Sequence, residues 1–340
     1  MTVPLYCGID LHSNNSVISI QNKCGNLVYE KRLPNDLNVI LPAMAPYREY
    51  LQGSVVESTY NWYWLVDGLM EAGYQVQLAN PGAIVQYAGI KHTNDFTDAR
   101  FLAHLLSLGV LPTGYIYPKE TRGIRDLLRR RLLLVSQRSS HRASLQSLLA
   151  RHTGKRLSER QIRKLDSSSL QDLLSIPCSN LMAEASLSMI NALSDTIEQL
   201  EKEVSAHCIN RTDYQLLTSI NGVGELLGAT VALETGSIAR FPDAGHYASY
   251  SRCVAAEKIS NGKSKGRNNC KNGNRYLGLA FTQAAHMAII WEPKIKRFYQ
   301  KKSAKSHLMV AKKAVAGKLA RAVYYMLKNE ERFDVNRAFG

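Results

Sequence analysis

The chain has 340 residues, 45% apolar and 21% charged, ordinary proportions for a folded protein and enough length for two or three cores. Lys and Arg outnumber Asp and Glu by 43 to 28, and the net charge of +15 points to a polyanionic partner, most simply DNA or RNA, with an anionic membrane surface as the competitor. No apolar run is long enough to span a bilayer, Met1-Thr2-Val3-Pro4 opens onto a strand rather than a signal peptide, and the six scattered cysteines form no C-x-x-C pair; a membrane protein, a zinc ribbon and a disulfide scaffold are set aside, and a cytoplasmic, nucleoid-associated protein is expected.

Residues 1–118 read as an α/β domain. Strands are predicted at Leu5–Ile9, Ser16–Gln21 and Leu27–Arg32, the last two joined by the turn Lys23-Cys24-Gly25-Asn26. A helix over Leu37–Leu51 is followed by a strand ending at Glu57, a helix through Trp62–Met70, a strand at Gln75–Ala79 and Pro81 as a first helical residue. Three hairpin-like strands followed by alternating helices and strands is the order of an RNase H-like core. Two apolar strands each deliver a carboxylate, Asp10 and Glu57, and an apolar-periodic helix begins with Asp95 and Asp98, which share a face. Any one of these acids alone is equally well read as a turn or capping residue. As a set in a basic chain they would repel one another unless a cation neutralised them, and Mg²⁺, with Mn²⁺ as a substitute, suits oxygen ligands shared with substrate phosphates. His12 lies near Asp10 and could touch the site, but reads first as a loop histidine with a structural hydrogen bond.

Residues 119–210 form a basic helical and coiled-coil region. Arg122, Arg125, Arg129, Arg130, Arg131 and Arg138 punctuate a helical apolar pattern with few matching acids, which favours phosphate contacts over a merely solvated face. Ser167-Ser168-Ser169 reads as a break. Ile190, Leu193, Ile197, Leu200 and Val204 then recur at heptad spacing, for either an intramolecular helix pair or a dimer contact.

Residues 211–340 read as a mainly helical C-terminal domain. Ile220-Asn221-Gly222-Val223-Gly224 leads into a helix and resembles a helix-hairpin-helix element, in which Gly222 and Gly224 would let backbone amides approach a phosphate. The polar segment from Ser260 to Arg275 reads as a basic loop, with Lys263, Lys265, Arg267, Lys271 and Arg275 as nucleic-acid contacts. The last helix carries an apolar stripe at Val315, Leu319, Val323, Met326 and Leu327.

Gly8-Ile9-Asp10, Glu57-Ser58-Thr59-Tyr60, Asp95-x-x-Asp98-Ala99-Arg100, the Gly222-Val223-Gly224 turn and the Ser260 segment ahead of Lys271-x-Gly273-Asn274, in this order, resemble the transposases of the IS110/IS1111 group of insertion sequences. The resemblance implies a RuvC-like domain whose D-E-D-D acids, Asp10, Glu57, Asp95 and Asp98, bind Mg²⁺, and a C-terminal transposase domain with a nucleophilic serine, matched by Ser260 with Ser264 as the other candidate. It further implies a structured non-coding (bridge) RNA that pairs with donor and target DNA, a covalent phosphoserine intermediate, and dimers assembling to a tetramer in which the acids of one subunit work with the serine of another. Two other readings stand beside it: a Holliday-junction-type endonuclease that activates water on the same acids, and a non-enzymatic RNA-binding protein.

Overall fold

Alternation along one strand decides what the first part of the chain can build. The computed structural model describes residues 3–84, 94–254, 257–267 and 272–340, and in it β1 (Leu5–Leu11) lies inside a six-stranded sheet of order β3-β2-β1-β4-β5-β6. β2 (Asn15–Asn22) and β3 (Leu27–Pro34) extend from β1 as an antiparallel meander. Beyond α1 (Leu37–Met44), β4 (Leu51–Glu57) runs parallel to β1; beyond α2 (Tyr63–Glu71), β5 (Val76–Ala79) runs parallel to β4. Next come α3 (Asp95–Leu108) and the two-residue β6 (Thr113–Gly114), antiparallel to β5.

Successive side chains of a strand point to opposite faces. Cys7, Ile9 and Leu11 of β1 join Val56 of β4 in a buried core with Ile40 and Met44 of α1 and Leu65 and Leu69 of α2. Tyr6 and Val55 have the other parity and pack with Leu102, Leu105 and Leu106 of α3. Asp10 shares parity with Tyr6, and Glu57 with Val55, so both carboxylates fall on the α3 face. The helix predicted over Leu37–Leu51 is present in two pieces, α1 and a 3-10 turn at Ala45–Tyr50, because Pro46 has no N–H with which to continue an α-helix.

The chain divides into two compact units, Met1–Lys119 and Glu120–Gly340. The second is mostly helical. Its α4 (Lys119–Thr153) has 35 residues, which at the usual helical rise makes a rod about 50 Å long. The short α5 (Glu159–Ile162) and α6 (Ser167–Leu173) lead to the 32-residue α7 (Pro177–Cys208). The expected break at Ser167–Ser169 is instead the first turn of α6, since the Asp166 carboxylate accepts from the Ser169 amide. α4 and α7 pair antiparallel: Leu128 shares a cluster with Val204, Arg131 pairs with Glu201, Arg138 donates to Ser194, and Leu145 and Leu149 share a cluster with Leu187 and Ile190. Ile190, Leu193, Ile197 and Val204 are thereby buried within one chain, so of the two expectations for the seam the intramolecular pair is the one observed.

The same unit continues through α8 (Thr212–Thr218), α9 (Glu225–Thr235), α10 (Ala244–Tyr250), the hairpin β7 (Glu257–Ser260) and β8 (Lys263–Arg267), α11 (Arg275–Trp291), α12 (Pro293–Ser303), α13 (Leu308–Asn329) and α14 (Val335–Phe339). Tyr247, Phe281, Val315, Leu319 and Val323 lie in its main core. Leu128, Val204 and Cys208 share a cluster with Tyr214, Ala229 and Leu233, and this joins the region expected at 119–210 to the one expected at 211–340.

Candidate metal centre

Gly8 sets the spacing of the site. A Cβ there would lie 2.0 Å from the carbonyl oxygen of Ala99 and 2.7 Å from the amide nitrogen of Ala103, so α3 rests on the bare backbone of β1. The start of α3 is fixed by a reciprocal cap, in which the Thr97 amide donates to the Asn94 side chain and the Asn94 amide donates to the Thr97 hydroxyl. Asp95 and Asp98 therefore stand in the first helical turn, where the helix dipole favours negative charge.

Sheet register brings two further residues to this face. Asp10 is paired with Val17, which is paired with Arg32; one row along, Gly8 is paired with Ser19, which is paired with Glu30. Glu30 takes a bidentate bond from Arg100 of α3, and Arg32 reaches one carboxylate oxygen of Asp95 while its guanidinium carbon lies 5.6 Å from the Phe96 ring centre. His12 follows β1, with Nε2 lying 3.1 Å from Asp10 Oδ2 and 3.3 Å from Asp95 Oδ1. Donor atoms of Asp10, His12 and Asp95 all fall within 4.8 Å of one another. The tight group thus contains two of the four expected acids plus the histidine; Glu57 and Asp98 join it through their charges, each carboxyl being raised by the charge on Asp10.

The electrostatics are those of crowded acids. Burial, the Asp10 charge and hydrogen bond, and the Asp98 charge push the Glu57 carboxyl up to about 7. Asp10, only 4% exposed, is raised by burial against the opposing pull of His12, and Asp98 is raised by burial and by Asp10 and Asp95. Asp95 alone is lowered, chiefly by the Arg32 hydrogen bond. Carboxylates forced to share protons, beside a histidine nitrogen with no aligned hydrogen-bond partner, are a donor set that fits a divalent cation.

In the second unit, Ser260 is exposed at the end of β7 and pairs with Lys263. The intervening Asn261 and Gly262 have φ of 50° and 70°, the double positive φ of a type I′ turn. The segment expected to be a loop is therefore a hairpin at this point, which presents the Ser260 hydroxyl together with the exposed Lys263 and Lys265. Lys271 lies outside the described residues.

The arginine row divides. Glu234, 1% exposed, accepts from Arg125 at 3.2 Å, from Arg129 at 2.8 Å and from the Asn274 amide at 2.7 Å. Burial would raise the Glu234 carboxyl, but Arg129, Arg125 and Asn274 together hold it below the usual carboxylate range. Arg131 is paired with Glu201, and Arg122 is buried. These four were expected to track phosphates; Arg122 and Arg125 are instead buried, and Arg125, Arg129 and Arg131 are paired with acids distant in sequence, Glu234 and Glu201, so much of their charge is met within the chain. Arg130 and Arg275 are exposed on a cleft of about 600 Å³ that also contains Tyr276, and Arg138 is crowded by Arg142 and Arg131. At the glycine turn, the open conformation of Gly222, with φ of 99°, is required by contact with α11, where a Cβ would lie 2.5 Å from the Ala288 nitrogen. Gly224 is open, and the adjacent groove is rimmed by Glu198, Glu201, Lys202 and Glu225, with Glu198 paired to Lys202 and Glu201 to Arg131.

A DEDD-type IS110 family model, described as "Transposase", matches residues 7–153, and the model described as "Transposase IS116/IS110/IS902 family" matches residues 214–300. A Pseudomonas aeruginosa protein named "Probable family 20 transposase" is 23% identical over 235 residues, covering 67% of this chain and 68% of that protein. The first match contains all four acids and the second contains Ser260.

Proposed function

The chain belongs to the IS110 family of insertion-sequence transposases, and from that premise we propose that it cuts and rejoins DNA through a covalent phosphoserine beside a divalent-metal centre, guided by a structured non-coding RNA. The observation that carries this reading is the crowding of Asp10, Glu57, Asp95 and Asp98 at one sheet face, in the part of the chain that matches a DEDD transposase. The strand order, with an antiparallel meander beside two parallel strands and α3 across the acidic face, supports a RuvC/RNase H-like fold for the first unit. The four acids would hold Mg²⁺, or Mn²⁺ in its place, which when bound supplies positive charge to the phosphoryl oxygens.

Ser260 is the proposed nucleophile. Its exposed hydroxyl sits on a tight turn with Lys263 and Lys265 beside it to attract a phosphate. Attack of Oγ on the scissile phosphorus forms the phosphoserine bond and breaks the bond to the departing sugar oxygen; the serine proton is lost and the sugar oxygen gains one. A hydroxyl from a second strand reverses these changes and frees the serine, so no external energy source is needed. Arg130, Arg138 and Arg275 are the arginines proposed to meet nucleic-acid backbone, while base pairing to the guide RNA would read sequence. The subunits are proposed to assemble as dimers and tetramers, with acids and serine drawn from different copies.

Trapping on a denaturing gel tests the mechanism. Labelled donor DNA should remain attached to wild-type protein and to Ser264→Ala, and not to Ser260→Ala or Asp10→Ala. Mixing the two inactive proteins should restore exchange if the site is shared between copies. DNA cleavage with no adduct from any variant would indicate water as the nucleophile and overturn the serine mechanism.

A further inference from the structure

We propose that His12 is itself a metal ligand, through Nε2, and that the centre is a mixed nitrogen–oxygen site rather than a purely carboxylate one. The proposal rests on the reading that this cluster binds a divalent cation.

Three observations on independent features support it. Nε2 is shielded from solvent, yet no group among the described residues meets hydrogen-bond geometry with it, although two carboxylate oxygens lie 3.1 and 3.3 Å away. An octahedral ion with ligands at about 2.1 Å holds neighbouring ligands roughly 3.0 Å apart, so these separations are compatible with donors facing a common ion; it is the misaligned geometry, not the distance, that argues against a proton between them.

The histidine backbone is also fixed from three sides. Its amide donates to Asn15 O at 2.9 Å, and its carbonyl accepts from Asn35 Nδ2 at 2.9 Å and from Asn61 Nδ2 at 3.0 Å. A residue placed only to fill a turn does not need two side-chain amides from separate segments on its carbonyl. Finally, Arg32 holds Asp95 by Oδ2 and leaves Oδ1 turned to His12, while Arg32 is itself held by Asn15 Oδ1 at 2.7 Å. The acid's second oxygen is thus directed at the histidine by a cation that does not enter the cluster. Imidazole is a better ligand for Mn²⁺ and later transition metals than for Mg²⁺, so this residue would set the metal preference of the site.

Pulsed electron paramagnetic resonance on the full-length protein loaded with Mn²⁺ reads the ligand directly. Wild type should show ¹⁴N coupling from one imidazole. His12→Ala should lose that coupling, and His104→Ala should keep it. His12→Ala should also weaken Mn²⁺ binding by roughly tenfold or more while changing Mg²⁺ binding much less. Circular dichroism of each variant separates ligand loss from unfolding, and the wild-type spectrum is decisive by itself. Bound Mn²⁺ without ¹⁴N coupling would overturn the histidine ligand and leave a carboxylate metal site standing. No Mn²⁺ binding in wild type, with none restored by the other divalent ions, would overturn the metal centre as well.

Discussion

Glu57 gives the crowding at the site a thermodynamic sign. Its folded value of about 7 lies above the ordinary 4.5, so its contribution to stability is complete below about 4.5 and is lost as pH rises through 7. The raised Asp10 and Asp98 act in the same direction, and the lowered Asp95 opposes them. In EDTA the melting temperature is expected to fall between pH 5 and 8, Glu57→Gln should flatten that fall, and a divalent cation should reverse it by binding the deprotonated set. A flat profile in EDTA would mean that the acids are not crowded in solution. Much of this was readable beforehand, because parity along two apolar strands and a three-residue spacing on a helix specify which side chains share a face. The contact of Arg32 was not, and His12 was legible only as a neighbour of Asp10 that could touch the site. Arg32 reaches Asp95 through cross-strand register, and register depends on how the turn between β2 and β3 closes, which residue types alone leave open.

Gly8 is where two elements meet without side chains between them. Gly8→Ala should force α3 away from β1 at a cost of about 1–3 kcal/mol, seen as a lower urea midpoint, and should weaken metal binding because Asp95 and Asp98 travel with the helix. Metal binding that survives the substitution intact would show that the acids do not depend on this contact. Glu234 ties α4, α9 and the residue before α11 together, and Glu234→Ala leaves Arg125 buried without its carboxylate. A loss of about 3–5 kcal/mol is expected by chemical denaturation. The elements themselves followed closely from periodicity, including the turn at residues 23–26 and the stripe on α13. The β7–β8 hairpin was missed although its Asn-Gly pair is a strong turn signal, because the lysines and asparagines around it lack the apolar alternation that normally marks a strand.

Taken as a whole molecule, fewer arginines are available to a polyanion than the sequence suggests, since several on α4 are already paired with Glu201 and Glu234. Salt titrations of DNA binding should separate the two groups: removing Arg130 and Arg275 is expected to reduce the slope by about one per lost phosphate contact, whereas Arg129→Ala should lower the melting temperature. An unchanged slope for the double variant would remove that cleft from the nucleic-acid surface. Composition fixed the sign of the partner's charge, but acids 70 to 109 residues away decided which cations remained to meet it. The antiparallel α4–α7 arm has one more consequence, for the kinds of length change that the chain can tolerate. One added residue turns everything beyond it by about 100°, so an insertion in α4 between Arg131 and Arg138 would swing Leu145 and Leu149 out of their cluster while Arg131 stayed in place. Seven residues added to each helix at opposed points would restore every pairing between them, whereas residues added between α4 and α5 would have to spare the Gln146–Leu157 bond and the packing of Leu157 on the Leu145 cluster. Within the two rods, the reach of the arm can therefore change only by near-whole numbers of turns, such as about seven or eleven residues in each helix.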